Sequence, residues 1–249
     1  MNNTINQQIV RILQTDSTNN YANRQIRENV LPEGTVFLAY EQTSGRGQFD
    51  NVWESEPGAN LLFSMVLYPD FLAITRQFML SKIVSLGIYS VVHKLVEGAK
   101  IKWPNDIYVG DKKLGGILIE NSIMSGTIKS SIVGVGLNIN QTDFKSNAPN
   151  PVSLKMLTNK HCESEGILQD ILAEISRYYD LLCLGNFEKI DKEFLSALYR
   201  LNERHYFKSN VIFEGEIVGV DPIGKLLIKK DDGLISEFYF KEVEFLQKQ

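Results

Sequence analysis

Apolar and polar positions alternate in two rhythms along this chain. Residues 60–68, Asn-Leu-Leu-Phe-Ser-Met-Val-Leu-Tyr, are almost continuously apolar and stop at Pro69-Asp70, the pattern of a strand buried on both faces. Residues 35–40 follow the turn Leu31-Pro32-Glu33-Gly34 with β-branched and aromatic side chains and predict another strand. Further strands are predicted over 100–103, over 114–120 and within 127–140. Between these, residues 76–96 place Phe78, Met79, Ile83, Leu86, Val91 and Leu95 near helical spacing and predict a long, mostly buried helix. A short helix is predicted over 21–28 and two amphipathic ones over 167–184 and 187–201, while 144–152 reads as an Asn- and Pro-rich loop.

From Asn202 the rhythm changes to short strands broken by Glu214-Gly215, Asp221-Pro222-Ile223-Gly224 and Asp231-Asp232-Gly233. The order of elements predicts an α+β protein, a mixed sheet with helices over residues 1–201, followed by a small all-β domain over 202–249. So small a domain is marginal alone and is expected to dock on the first.

Composition narrows the functional class. Of 249 residues, 43% are hydrophobic and 22% charged, the balance of an ordinary globular chain. A formal net charge of -4 argues against a nucleic-acid binder, which needs a basic footprint. Cys162 and Cys183 have neither Cys-x-x-Cys spacing nor a nearby His pair, and His93 has no ligand one helical turn on, so no metal centre is expected from them. Two reduced cysteines suit the cytoplasm. The first 14 residues lack a basic stretch followed by an apolar run, and no segment reaches eighteen apolar residues, so neither export nor a membrane span is expected.

Chemistry concentrates around Lys102-Trp103-Pro104-Asn105-Asp106 and the return strand Lys113-Leu114-Gly115-Gly116-Ile117-Leu118. A bend at Pro104 gathers an amide, a carboxylate and ammonium groups beside two glycines that permit close approach to the backbone. Trp103 reads as packing and Lys112 as a surface charge. Three other stretches carry polar groups at element boundaries. Asp16-Ser17-Thr18-Asn19 precedes the first helix and reads as an N-cap. Gln42-Thr43-Ser44-Gly45-Arg46-Gly47-Gln48, with Trp53 downstream, lies in a polar loop over 41–57 that can fold over an anion, though no Walker loop occurs. Gly134-Val135-Gly136-Leu137-Asn138-Ile139-Asn140 lacks the third glycine of a dinucleotide fingerprint and suits a strand against which a flat ligand lies.

These four stretches, in this order, resemble the biotin protein ligases, which join biotin to a carrier-protein lysine through biotinyl-adenylate. The resemblance runs from about Asp16 to the end of the chain. It implies a class II synthetase-like catalytic domain followed by a small SH3-like β-barrel, with ATP, Mg²⁺ and biotin as reactants and a biotin carboxyl carrier protein as acceptor. It further implies that Ser17 and Thr18 hydrogen-bond the ureido head of biotin, and that Asn19, Gln42, Gly45, Gly116, Leu118, Gly134 and Gly136 belong to its binding site. Arg46 and Lys113 become a two-cation clamp on the biotin carboxylate and α-phosphate, and so the catalytic pair. Gln48, Trp53, Lys102, Asn105, Asp106 and Asn138 fall on the ATP side, with Asp106 facing Mg²⁺ through the phosphates.

The resemblance is to the short, monofunctional form, since residues before the first motif are too few for a helix-turn-helix, and no DNA or membrane partner is expected. Some short-form members are homodimers, but this chain carries no interface signature. The loop departs from the family where a basic, glycine-containing stretch is usual: Gln48 cannot neutralise a phosphate, and Asp50 adds a negative charge. Two rivals stay open. A lipoate or octanoate ligase shares the adenylate chemistry, and a biotin-binding protein that has lost catalysis fits the loop departures.

Overall fold

The computed structural model describes residues 5, 8–49, 51–145 and 150–246. Asp50 lies outside the described residues. In chain order the first part runs β1 (Ile9–Thr15), α1 (Thr18–Glu28), β2 (Val36–Gln42), β3 (Leu61–Leu67), α2 (Phe78–Leu95), β4 (Ala99–Lys102), β5 (Asp106–Val109), β6 (Lys112–Met124) and β7 (Thr127–Leu137). These seven strands make one sheet in the order β1-β2-β3-β7-β6-β5-β4. The β1–β2 pair is parallel and every other pair antiparallel, so the sheet is mixed as expected.

The centre of the sheet follows from its side chains. All seven residues of β3 are buried, which is why its sequence is apolar at both parities. One face of the sheet is covered by α2, against which α4 (Ser164–Cys183) and α5 (Phe187–Ala197) pack, after the short α3 (Leu154–Thr158). By length and composition the segment Ile74–Leu95 would pass for a membrane span, yet 67% of its most apolar 18-residue stretch is buried inside the fold. It is a core helix, carrying Leu80, Ile83, Val84 and Leu86 into the main hydrophobic cluster.

Several boundaries differ from those read in the sequence. The strand β1 was not anticipated, because its residues are only partly buried at the sheet edge. The helix α1 begins at Thr18, and α5 stops at Ala197, where Leu198 turns extended and its amide bonds back to Leu195. Between the two strands expected around Pro104 the chain inserts β5, so the polar corner is a double hairpin, β4–β5–β6.

A second, antiparallel sheet comprises β8 (Arg204–Lys208), β9 (Ile212–Val220), β10 (Leu226–Lys230), β11 (Ile235–Phe238) and β12 (Glu244–Phe245), in the order β11-β10-β9-β8-β12. It is the small barrel-like unit expected after Asn202. Its Phe207, Ile217, Leu226 and Ile228 join the same hydrophobic cluster as the helices. Trp103, 4% exposed, packs its ring against Phe240 at 5.2 Å and donates Nε1–H to the Gly224 carbonyl at 2.8 Å. The corner that carries the candidate chemistry is therefore also the seat on which the second sheet rests.

Candidate active site

A cavity of about 620 Å³ opens between the two sheets. Its glycine-lined wall is set by strand register. The β6–β7 pair places Gly116 opposite Gly136 and Leu118 opposite Gly134, so three residues without side chains share one patch. Protein groups already occupy that patch. A Cβ on Gly134 would collide with Asn19 Oδ1, and one on Gly136 with the indole of Trp53. Asn19 and Trp53 therefore pack against Gly134 and Gly136, and both glycines border the cavity beside them. The Trp53 Nε1 donor is buried with no partner among the described residues, a hydrogen bond held ready for a ligand acceptor.

The start of α1 forms a second wall. Ser17 occupies the N-cap position in an extended conformation, φ -154° and ψ 141°, but its hydroxyl makes no capping bond. The free amide of Thr18 donates instead to Gln42 Oε1 on β2, at 2.7 Å. Gln42 thus serves as the cap, and the Ser17 side chain is left for the cavity that it lines. Behind it, Ser64 Oγ sits 2.7 Å from Thr18 Oγ1 and 2.6 Å from Asn19 Oδ1. Asn19 Nδ2 donates to Glu120 Oε2 at 2.8 Å and to the Leu118 carbonyl at 3.2 Å. Asp16 holds Arg24 at 2.9 Å and accepts from Asn20 at 2.7 Å. The Arg24 guanidinium keeps its carboxyl well below the usual range, with burial opposing.

Both catalytic candidates reach the cavity, and each is matched by a carboxylate. Arg46 donates to Glu120 Oε1 at 2.8 Å and to Asn20 Oδ1 at 2.6 Å. The Lys113 ammonium lies 2.7 Å from Asp106 Oδ1, a charge contact rather than a well-directed hydrogen bond. An incoming anion therefore competes with Glu120 and Asp106 for the two cations. Asn105 lines the cavity while its amide donates to the Ile117 carbonyl at 2.6 Å, which locks β5 onto β6. Lys102 donates to Tyr108 Oη at 3.0 Å beneath the ring of Phe245. Burial draws the Lys102 pKa below the ordinary lysine value, partly offset by Asp106, and pushes the Tyr108 hydroxyl well above its own.

Ser17, Thr18, Asn19, Gln42, Arg46, Gln48, Trp53, Lys102, Asn105, Asp106, Lys113, Gly116, Leu118, Gly134 and Gly136 all line the one cavity. Two expected residues do not. Gly45 lies behind the loop, its carbonyl accepting from the Trp53 amide at 2.9 Å. Asn138 is 3% exposed and donates to the Val152 carbonyl at 3.1 Å, which ties β7 to the segment before α3. The sequence reading had also passed over Ser64 and Glu120. A small hydroxyl residue in the middle of the apolar stretch 61–67 is the available signal for Ser64.

Among the described residues no group of three or more His, Cys, Asp and Glu side chains could hold a metal ion by itself. Magnesium that arrives on phosphates asks less, usually one or two protein carboxylates. Asp106 lines the cavity, its Oδ1 buried 2.7 Å from the Lys113 ammonium, and is a carboxylate available for such a role.

Residues 12–138, which hold every strand lining the cavity from the larger sheet, match the pattern of the biotin/lipoate A/B protein ligase family. This chain belongs to that family. It is 32% identical over 231 residues to the bifunctional ligase/repressor BirA of Bacillus subtilis, covering 88% of this chain and 69% of that one. Against the biotin–[acetyl-CoA-carboxylase] ligase of Paracoccus denitrificans the identity is 27%, over 89% of this chain and 94% of the relative. Among solved structures, the biotin protein ligase of Aquifex aeolicus in complex with biotin and ATP superposes with a TM-score of 0.81 at 25% identity, covering 98% of this chain and all of that one. The family member's fold thus extends across both sheets.

Proposed function

We propose that this family member is a biotin protein ligase, which makes biotinyl-5'-AMP from biotin and ATP and passes biotin to a lysine of a biotin carboxyl carrier protein. The observation that carries the reading is the convergence of Arg46 and Lys113 on one cavity, each held by a carboxylate that an anionic substrate can displace. The relatives' names supply the substrates and the class of acceptor.

In the first step a biotin carboxylate oxygen attacks the α-phosphorus of ATP, the bond to the β-phosphate oxygen breaks, and pyrophosphate leaves. Both reactants are anions, so the barrier is largely electrostatic. Arg46 and Lys113 supply fixed positive charge where the two anions meet. Asp106, released from Lys113 and flanked by Asn105, would hold Mg²⁺ with the substrate phosphates, where the ion screens their charge. Ser17, Thr18 and Asn19 orient the polar head of biotin, and Trp53 offers its unpaired N–H from the glycine wall. In the second step the neutral lysine amine of the acceptor attacks the mixed anhydride, AMP departs, and a proton is lost from the new amide nitrogen. The enzyme's part is positioning within a cavity that excludes water. Two free cysteines, Cys162 and Cys183, suit a reducing compartment, which supports a cytoplasmic setting for the reaction.

The deciding experiment mixes purified protein, ATP and Mg²⁺ with biotin or with lipoate, without acceptor, and follows pyrophosphate and adenylate mass. Biotinyl-adenylate is expected. Lipoyl-adenylate alone would replace the reading with the other branch of the family, and biotin binding without pyrophosphate would reduce the chain to a binder.

A further inference from the structure

The loop between β2 and β3 crosses the cavity and touches the second sheet. Gly47 donates its amide to the Asn51 carbonyl at 2.7 Å, and an isolated bridge pairs Arg46 with Val52. These contacts join the two arms of the loop on either side of Phe49. Phe49 is 60% exposed, belongs to neither hydrophobic cluster and adopts φ +58°, a left-handed conformation that a bulky residue rarely takes. Core packing gives no reason for an aromatic there. Its ring faces Lys241, whose ammonium lies 3.6 Å from the ring centroid. Lys241, itself at φ +67°, follows Phe240, the residue seated on Trp103. Phe49 and Lys241 both line the cavity.

We propose that Phe49 and Lys241 form a clasp that holds the loop shut over the adenylate, making them positioning residues for its retention until the acceptor arrives. The proposal rests on the ligase reading and adds residues that neither the sequence motifs nor that reading assigns. Gln48, next to the clasp, is neutral and cannot hold the intermediate by charge. Closure by a contact between loop and second sheet meets the same need mechanically. The cation is held on a turn whose neighbour packs on the corner, and the ring is held on the loop that carries Arg46, so breaking the contact frees the loop without altering either cation of the clamp. An exposed cation–π contact is weak enough to open often, as transfer to a protein acceptor requires.

The test uses the full chain with preformed, labelled adenylate, chased with unlabelled biotin and pyrophosphatase. Phe49→Leu and Lys241→Met should each release adenylate about two- to five-fold faster, the equivalent of about 0.5–1 kcal/mol for an exposed cation–π contact. The double variant should be no faster than the singles, Phe49→Tyr and Lys241→Arg should restore retention, and the rate of adenylate formation should change less than its escape. Unchanged escape, additive effects, or failure of the conservative variants to rescue would overturn the clasp. Amide exchange over residues 45–53, followed without substrates, separates the two readings. Faster exchange in Lys241→Met supports the clasp even if wild type makes no adenylate, which would sink the ligase reading alone; equal exchange overturns the clasp.

Discussion

Arg46 and Glu120 form an ion pair at 2.8 Å that ties the loop after β2 to the middle of β6. Glu120 also accepts from Asn19 at 2.8 Å, so one carboxylate links the loop to the start of α1. A substrate carboxylate must win Arg46 from it. Both side chains are about one-third exposed, and such a pair is worth about 0.2–1 kcal/mol. Glu120→Gln, whose carbonyl still accepts from Asn19, should therefore lower the KM for biotin by about 1.5- to 5-fold in a pyrophosphate-release assay. An unchanged or higher KM would mean that Arg46 does not meet the carboxylate.

Lys113→Ala and Arg46→Ala should reduce adenylate formation by about 10²–10³-fold, the scale of losing one pre-placed charge-stabilising donor. The melting temperature should fall little, because both side chains reach into the cavity rather than the core. Wild-type rates in both variants would remove the pair from the catalytic assignment.

The glycine wall yields a contrast between neighbours. In Gly134→Ala the new methyl meets Asn19, which Ser64 and Glu120 hold in place, so the cost falls on stability, about 1–3 kcal/mol by thermal or urea unfolding. In Gly136→Ala it meets Trp53, which is free to move into the cavity. Trp53 is one of two tryptophans, the other being buried Trp103, and its displacement should shift the emission to longer wavelength with little loss of stability. A Trp53→Phe background should show no shift.

The elements that were legible in the sequence are those whose side chains enter the core. Residues 60–68 announce β3 because burial on both faces leaves no polar face to blur the pattern, and 76–96 announce α2 because most of its residues are buried. The strand β1 escaped notice because an edge strand buries little, and Leu13 is 79% exposed. At the site, the motif residues could be named but their partners could not. Glu120 meets Arg46, and Asn19 meets Gly134, only through the β6–β7 register and the crossing of α1 over β3, neither of which short spacings encode. Asn138 shows a related ambiguity: a polar residue after alternating glycines looks the same whether it faces a ligand or ties two backbone segments together.

Lys102 supplies a pH test. Burial beneath Tyr108 and Phe245 lowers its pKa below the ordinary lysine value, with Asp106 pulling the other way. Below the lowered value the folded chain bears the cost of a charged, buried ammonium. Between the lowered and ordinary values the unfolded chain binds more protons, so this group's contribution to stability improves as pH rises through that window. Function should move the opposite way. If Lys102 faces the ATP phosphates, its charge is lost at a lower pH than that of an exposed lysine, and the KM for ATP should climb on the alkaline side. Lys102→Arg keeps the charge and should move that climb to higher pH, while Lys102→Met should raise KM at neutral pH and remove the climb. The check is KM for ATP against pH for the three proteins, with unfolding followed in parallel. Superimposable wild-type and Lys102→Arg profiles would place Lys102 away from the phosphates and leave it a buried support for Tyr108.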